Sequence, residues 1–166
     1  MPEPPADIYL DLRSRALGWQ KAEHQQDIRG VITDLAYDEG LVTIVCLADD
    51  STSMYTSRGG GIIGAGEYDH VAAANRNLLK VCSSVEFQTR AVADPPLPLS
   101  GQVRFTALAS DGLRTELVHD EDLLELTHPF AGVYFAVQDV VTEMSRIEGE
   151  DGPRLLSEAD RPADGC

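Results

Sequence analysis

Cysteine is rare in this chain: three in 166 residues, Cys46, Cys82 and Cys166. They make no Cys-x-x-Cys pair and no Cys/His set with metal-ligand spacing. Cys46 falls in an apolar run and Cys82 on an apolar helix stripe, where a thiol acts as a small hydrophobe. Basic residues are scarce too: 13 Lys and Arg stand against 28 Asp and Glu, a formal charge of −15. A chain that tracks phosphates or anionic lipid needs a basic face, so neither a nucleic-acid nor a membrane partner is expected. There is no basic-then-apolar leader and no apolar run long enough to span a bilayer, which gives a cytoplasmic reading. Catalytic signatures are missing as well: no G-x-S-x-G, no H-E-x-x-H, no G-K-[ST] and no Asp-x-Asp-x-Asp-Gly loop. No catalytic residue, metal or cofactor is therefore assigned, and a non-enzymatic role is the expectation.

What the chain does have is glycine in one place. Five of its fourteen glycines occupy the eight positions 59–66 (Gly59, Gly60, Gly61, Gly64 and Gly66, with Ile62, Ile63 and Ala65). Arg58 precedes the run and a helix is expected to open at Glu67. A glycine-rich turn entering a helix N-terminus can present backbone N–H groups to an anion. Arg58 and the five glycines are thus the candidate ligand-binding residues, together with His70 one turn into the helix. The letters also satisfy G-x-G-x-x-G, but the preceding strand 51–57 is polar, unlike the buried strand of a dinucleotide-binding unit. In the alternative reading the glycines only let the chain turn, and Ile62 and Ile63 plug into the core.

The remaining elements follow from periodicity. Residues 1–6, with three prolines, read as a disordered lead-in, residues 7–148 as one domain, and residues 149–166 as an acidic disordered tail. Tyr9, Leu12, Ala16 and Trp19 mark a short amphipathic helix. Strands are expected at 30–37, 41–48 and 51–57 as an antiparallel meander, the last with an edge open to pairing. Tyr68, Val71, Asn75, Leu78, Cys82 and Val85 recur at helical spacing and predict one helix from Glu67 to about Arg90. Pro95, Pro96 and Pro98 make a stiff extended crossing back to the sheet. Strands 102–109 and 113–119 form a hairpin about Ser110-Asp111-Gly112. Pro129 opens a last helix, although its valines leave a strand at 133–141 open. The fold class is α+β: about five antiparallel strands and three helices in the order α-β-β-β-α-β-β-α.

That order resembles the profilin-like and roadblock-type folds, and the resemblance implies a homodimeric scaffold or regulator. The string Tyr55-Thr56-Ser57-Arg58-Gly59-Gly60-Gly61-Ile62-Ile63-Gly64-Ala65-Gly66, with Leu97-Pro98-Leu99 ahead of Val103-Arg104-Phe105, is similar to a family of uncharacterised bacterial proteins, which implies no activity. The leading functional reading is a non-catalytic interaction or regulatory module that pairs with itself. The alternatives are an anionic small-molecule or nucleotide binder at 59–66, and an acidic inhibitor or immunity-type partner of a basic protein.

Overall fold

The computed structural model of the chain describes residues 3–19, 27–91 and 94–147. The expected acidic tail lies outside them. The strands are β1 (Ile28–Tyr37), β2 (Gly40–Leu47), β3 (Thr52–Thr56), β4 (Gly61–Ile62), β5 (Thr89–Ala91), β6 (Gln102–Ala109) and β7 (Gly112–His119). All pairings are antiparallel, and the order across the sheet is β4-β3-β2-β1-β6-β7-β5. The α+β class and the antiparallel sheet agree with the sequence reading. The strand count does not: the sheet has seven strands, because a two-residue and a three-residue strand have been added at its edges.

Helix α1 (Asp7–Leu17) covers one face, and α2 (Asp69–Cys82) and α3 (Ala131–Ser145) lie on the other. Two 3-10 turns, Ala65–Glu67 and Asp122–Leu124, bring the helical segments above the three expected. The period-2 alternation of β1 divides the two cores. Val31 and Leu35 join Ile44, Cys46, Val103, Phe105 and the inner faces of α2 and α3, whereas Ile32 joins Val45, Leu47, Tyr55, Leu108 and α1. In the larger core Phe130 stacks on Phe105 at 5.4 Å and takes Phe87 edge-on at 5.1 Å. The segment 133–141 is helical: Val133, Val137 and Val140 are buried on one side of α3, and that packing outweighs the modest helix propensity of valine.

Two expectations are corrected. The helix expected over Glu67–Arg90 is α2 alone, and it ends at Cys82. The Ser83 and Ser84 hydroxyls turn back onto the carbonyls of Leu79 and Val81, at 2.8 and 2.6 Å, and these side-chain bonds compete with continuation of the helix. Val85 and Phe87 still pack on the core from non-helical backbone, and Thr89–Ala91 then pairs with Leu113–Thr115 of β7. The second correction is that strand 51–57 is not an edge. Met54 and Tyr55 pair with Ile62 and Gly61, so the glycine run supplies the strand that covers it.

Candidate functional site

The glycine run folds back on itself. Gly59 N–H donates to Thr56 O at 2.9 Å, Gly60 N–H to Thr56 Oγ1 at 3.1 Å, and Thr56 N–H to Gly60 O at 2.8 Å. Gly61 sits opposite Tyr55 in the ladder. Glu67 N–H closes the 3-10 turn onto Gly64 O at 3.2 Å. Gly59 and Gly64 have φ of +97° and +77°, the left-handed region where a side chain costs about 1 kcal/mol or more. Ile62 packs toward the α2/α3 core and Ile63 toward the α1 core. The run is a reversal, an edge strand and a second reversal, with its first amides bonded inside the fold.

The charged residues of the loop are also committed, or surrounded by like charge for an anion. The exposed Arg58 guanidinium donates to Glu39 O at 3.3 Å. It lines a cavity of about 670 Å³ with Glu3, Asp38 and Glu39, so three acidic residues share that cavity with one guanidinium. At the other end of the loop, Gly64 and Gly66 line a cavity of about 310 Å³ with Asp49, Asp50 and Glu67. His70 is directed to the neighbouring helix, where its Nδ1 lies 2.9 Å from Glu143 Oε2. Arg58 and His70 therefore do not converge with the glycine amides on one pocket. Among the described residues no cluster of His, Cys, Asp or Glu is placed to hold a metal ion, and no helix is long and apolar enough to cross a membrane.

The densest polar chemistry lies under α1. Sheet register sets Tyr55, Thr43, Asp34, Arg104 and Leu117 side by side in one row on the α1 face. Arg13, at helical spacing from Tyr9 and Ala16 on the buried stripe, grips Asp34 with two prongs: Nε to Oδ1 at 3.0 Å and Nη2 to Oδ2 at 2.8 Å. Thr43 donates to Asp34 Oδ1 at 2.7 Å, and Tyr9 Oη lies 2.6 Å from Thr43 Oγ1. With the Thr43 proton committed to Asp34, the phenol is the donor. Arg13 Nη2 also donates to Pro95 O at 2.8 Å, and Arg104 donates to Pro96 O at 2.7 Å and to Thr115 Oγ1 at 2.9 Å. Burial opposes the charge on Arg13, but the Asp34 bonds outweigh it and its pKa lies above the ordinary value. Burial, then the Asp34 carboxylate, pushes the Tyr9 phenol up to about 12. None of these side chains lines the cavities just described, so the network works as a clamp on α1 and the proline crossing. Two signals for it were present in the sequence: an aspartate inside an apolar strand and an arginine on an apolar helix stripe.

One end of the sheet is unusually apolar on the outside. Among the described residues the exposed large hydrophobics are Leu10, Tyr37, Leu99, Leu117, Leu124, Leu126 and Phe135. Tyr37, Leu99, Leu124, Leu126 and Phe135 belong to segments that meet at the end where β1 stops and α3 starts. Gly101 N–H donates to Ala36 O and Asp120 N–H to Gly101 O, each at 3.0 Å. Burial, then Tyr134 and Asp120, raises the pKa of Tyr37, and Tyr134 touches Phe135 edge-on at 6.0 Å. Asp38, Asp120, Glu121, Asp122 and Glu125 are exposed residues of the same segments, and no Lys or Arg occurs from Thr115 to Ser145.

Comparison with protein-family models, with curated proteins and with solved structures returned no match.

Proposed function

We propose that the chain is a non-catalytic interaction module that receives a basic protein partner at its apolar end. The observations that carry the reading are five exposed large hydrophobics, Tyr37, Leu99, Leu124, Leu126 and Phe135, on segments joined at one end of the sheet, and the exposed acids Asp38, Asp120, Glu121, Asp122 and Glu125 in those same segments. A contiguous apolar surface with a polar rim is how a docking site differs from scattered surface leucines. These acids select against a second copy of the chain at this end, because like charges would be set against each other. The test is capture by wild-type protein and by L124S/L126S, at low salt and at about 0.5 M salt, where surface attraction is screened within a few ångströms. Wild type at low salt recovers proteins with pI above about 9; the variant and the high-salt sample lose them. Equal recovery in all samples removes the proposal. Sedimentation across micromolar concentrations gives a monomer; a dimer abolished by L124S/L126S assigns the surface to self-association instead.

An anionic ligand at residues 58–66 is the second reading, supported by the exposed Arg58 beside the larger cavity. Saturating nucleotide or sugar phosphate, at about 100 times Kd, would stabilise the fold by about 2.7 kcal/mol. Three acidic residues share that cavity and oppose an anion there; no shift with any of these ligands removes the reading.

A further inference from the structure

The β1–β6 ladder contains one irregularity. Ile28 pairs with Ala109 and Gly30 with Leu108, so Arg29 is an extra residue in β1 with no counterpart in β6. In unbroken alternation Arg29 would share a face with Val31 and enter the α2/α3 core. The bulge instead places Ile28 in that core and brings the Arg29 side chain to the α1 side, while Ala48 N–H donates to the Arg29 carbonyl at 2.9 Å. Bulges that re-aim one side chain recur beside binding sites.

Arg29 lines a groove of about 480 Å³ between the C-terminal end of α1 and the β6–β7 hairpin. Leu17, Trp19, Leu108 and Leu113 supply its apolar wall, and Ser14 and Ser110 add hydroxyl groups. Arg29 Nε is buried and has no hydrogen-bond partner among the described residues. A buried donor without an acceptor is costly, and a ligand recovers the cost where the Arg29 side chain turns Nε toward it. The volume falls in the range of small-molecule sites, and the lining has their usual character: apolar walls with few polar groups. Asp94 also borders the groove and would repel a ligand of higher negative charge.

We propose that this groove binds a small amphipathic monocarboxylate, its carboxylate on Arg29 and its apolar body along Trp19, Leu108 and Leu113. The site is separate from the apolar end and does not depend on the function proposed there. A planar guanidinium meets a carboxylate with paired bonds, which a hydroxyl or an amine cannot reproduce.

Trp19 is the sole tryptophan of the chain, so its fluorescence reports on the groove directly. Three probes with one body are titrated against the full chain: 3-phenylpropionate, 3-phenylpropanol and 3-phenylpropylamine. The acid gives a saturable change and binds about tenfold more tightly than the alcohol, the difference expected of one charge-assisted contact; the amine gives none. Amide shifts induced by the acid in a nitrogen-15 spectrum centre on Arg29 and on residues 108–113. R29Q, with the circular dichroism of the wild type, reduces affinity for the acid to that of the alcohol. Equal binding of acid and alcohol by the wild-type chain overturns the proposal without recourse to any variant. So does an unchanged affinity in R29Q, the absence of saturation at millimolar acid, or shifts centred elsewhere.

Discussion

Gly66 stands so close to the carbonyl of Asp50 that a Cβ built on it would lie 1.8 Å from the oxygen. The approach is backbone against backbone and neither side can yield, since Asp50 N–H is bonded to Leu47 O and Asp50 itself has φ of +71°. G66A is expected to lower stability by about 1–3 kcal/mol, the scale of an overpacked site. G132A should do the opposite. Gly132 is an exposed helical residue whose added methyl would meet nothing nearer than Val81 Cγ1 at 3.7 Å, an ordinary contact. Helix propensity alone then stabilises by about 0.5–1 kcal/mol. Urea denaturation of the two variants checks both signs.

The clamp under α1 gives a second pair of outcomes. Asp34 is wholly buried and Arg13 nearly so. D34A leaves the guanidinium in the interior without its counter-charge, which costs about 3–5 kcal/mol. Replacing both partners with apolar residues, R13M/D34L, costs much less than the sum of the single variants, because no stranded charge remains. A double-mutant cycle by chemical denaturation measures the coupling; additive effects would show that the two side chains do not act as a pair.

How much of this was legible beforehand can be judged from particular residues. The meander and the 102–119 hairpin were readable because alternation and the Ser110-Asp111-Gly112 turn are local signals. The helix stop at Cys82 was not. Val85 continues the apolar spacing, and only the Ser83 and Ser84 bonds to backbone carbonyls reveal the end. β4 and β5 are two and three residues long, too short for periodicity, and exist because a neighbour offers an edge. At the candidate sites, the glycine run was visible but its purpose was not, since its amides are taken by Thr56 and the β3 ladder. Arg29 could not be singled out from its neighbours, because a bulge is a property of two paired strands.

Alkali should unfold the chain in a definite window. Burial pushes Cys46 and Cys82 from 9.0 up to about 12. Burial, then Asp34, raises Tyr9 from 10.0 to about 12. In each case the folded state favours the neutral, protonated form. Its stabilising contribution is complete below the unfolded values of 9.0 and 10.0 and is lost as pH rises through about 12. Far-UV circular dichroism between pH 8 and 12 should show the loss, and C46A/C82A should move the transition to higher pH if the small cavities left behind are tolerated.

The same burial predicts thiol chemistry at neutral pH. In a C166S background, neither Cys46 nor Cys82 should react with an aromatic disulfide reagent while the chain is folded. Both should react within the mixing time in about 8 M urea, where the thiols have ordinary pKa values. Reaction of either one in buffer would show that the core opens locally.

L124S/L126S should leave stability within about 0.5 kcal/mol of wild type, since both leucines are exposed. The same change at the buried neighbour, L123S, should cost about 3 kcal/mol or more. Thermal denaturation separates the two, and a large loss in the double variant would mean that the apolar end is structural.

One guanidinium ties together parts of the chain that are far apart in sequence. Arg13 holds the central strand through Asp34 and the crossing through the carbonyl of Pro95, 82 positions away. The first helix and the proline segment therefore share a single peg. Slow hydrogen exchange should show them opening in concert, as one cooperative unit, while the two-helix side, which does not share that peg, opens on its own schedule.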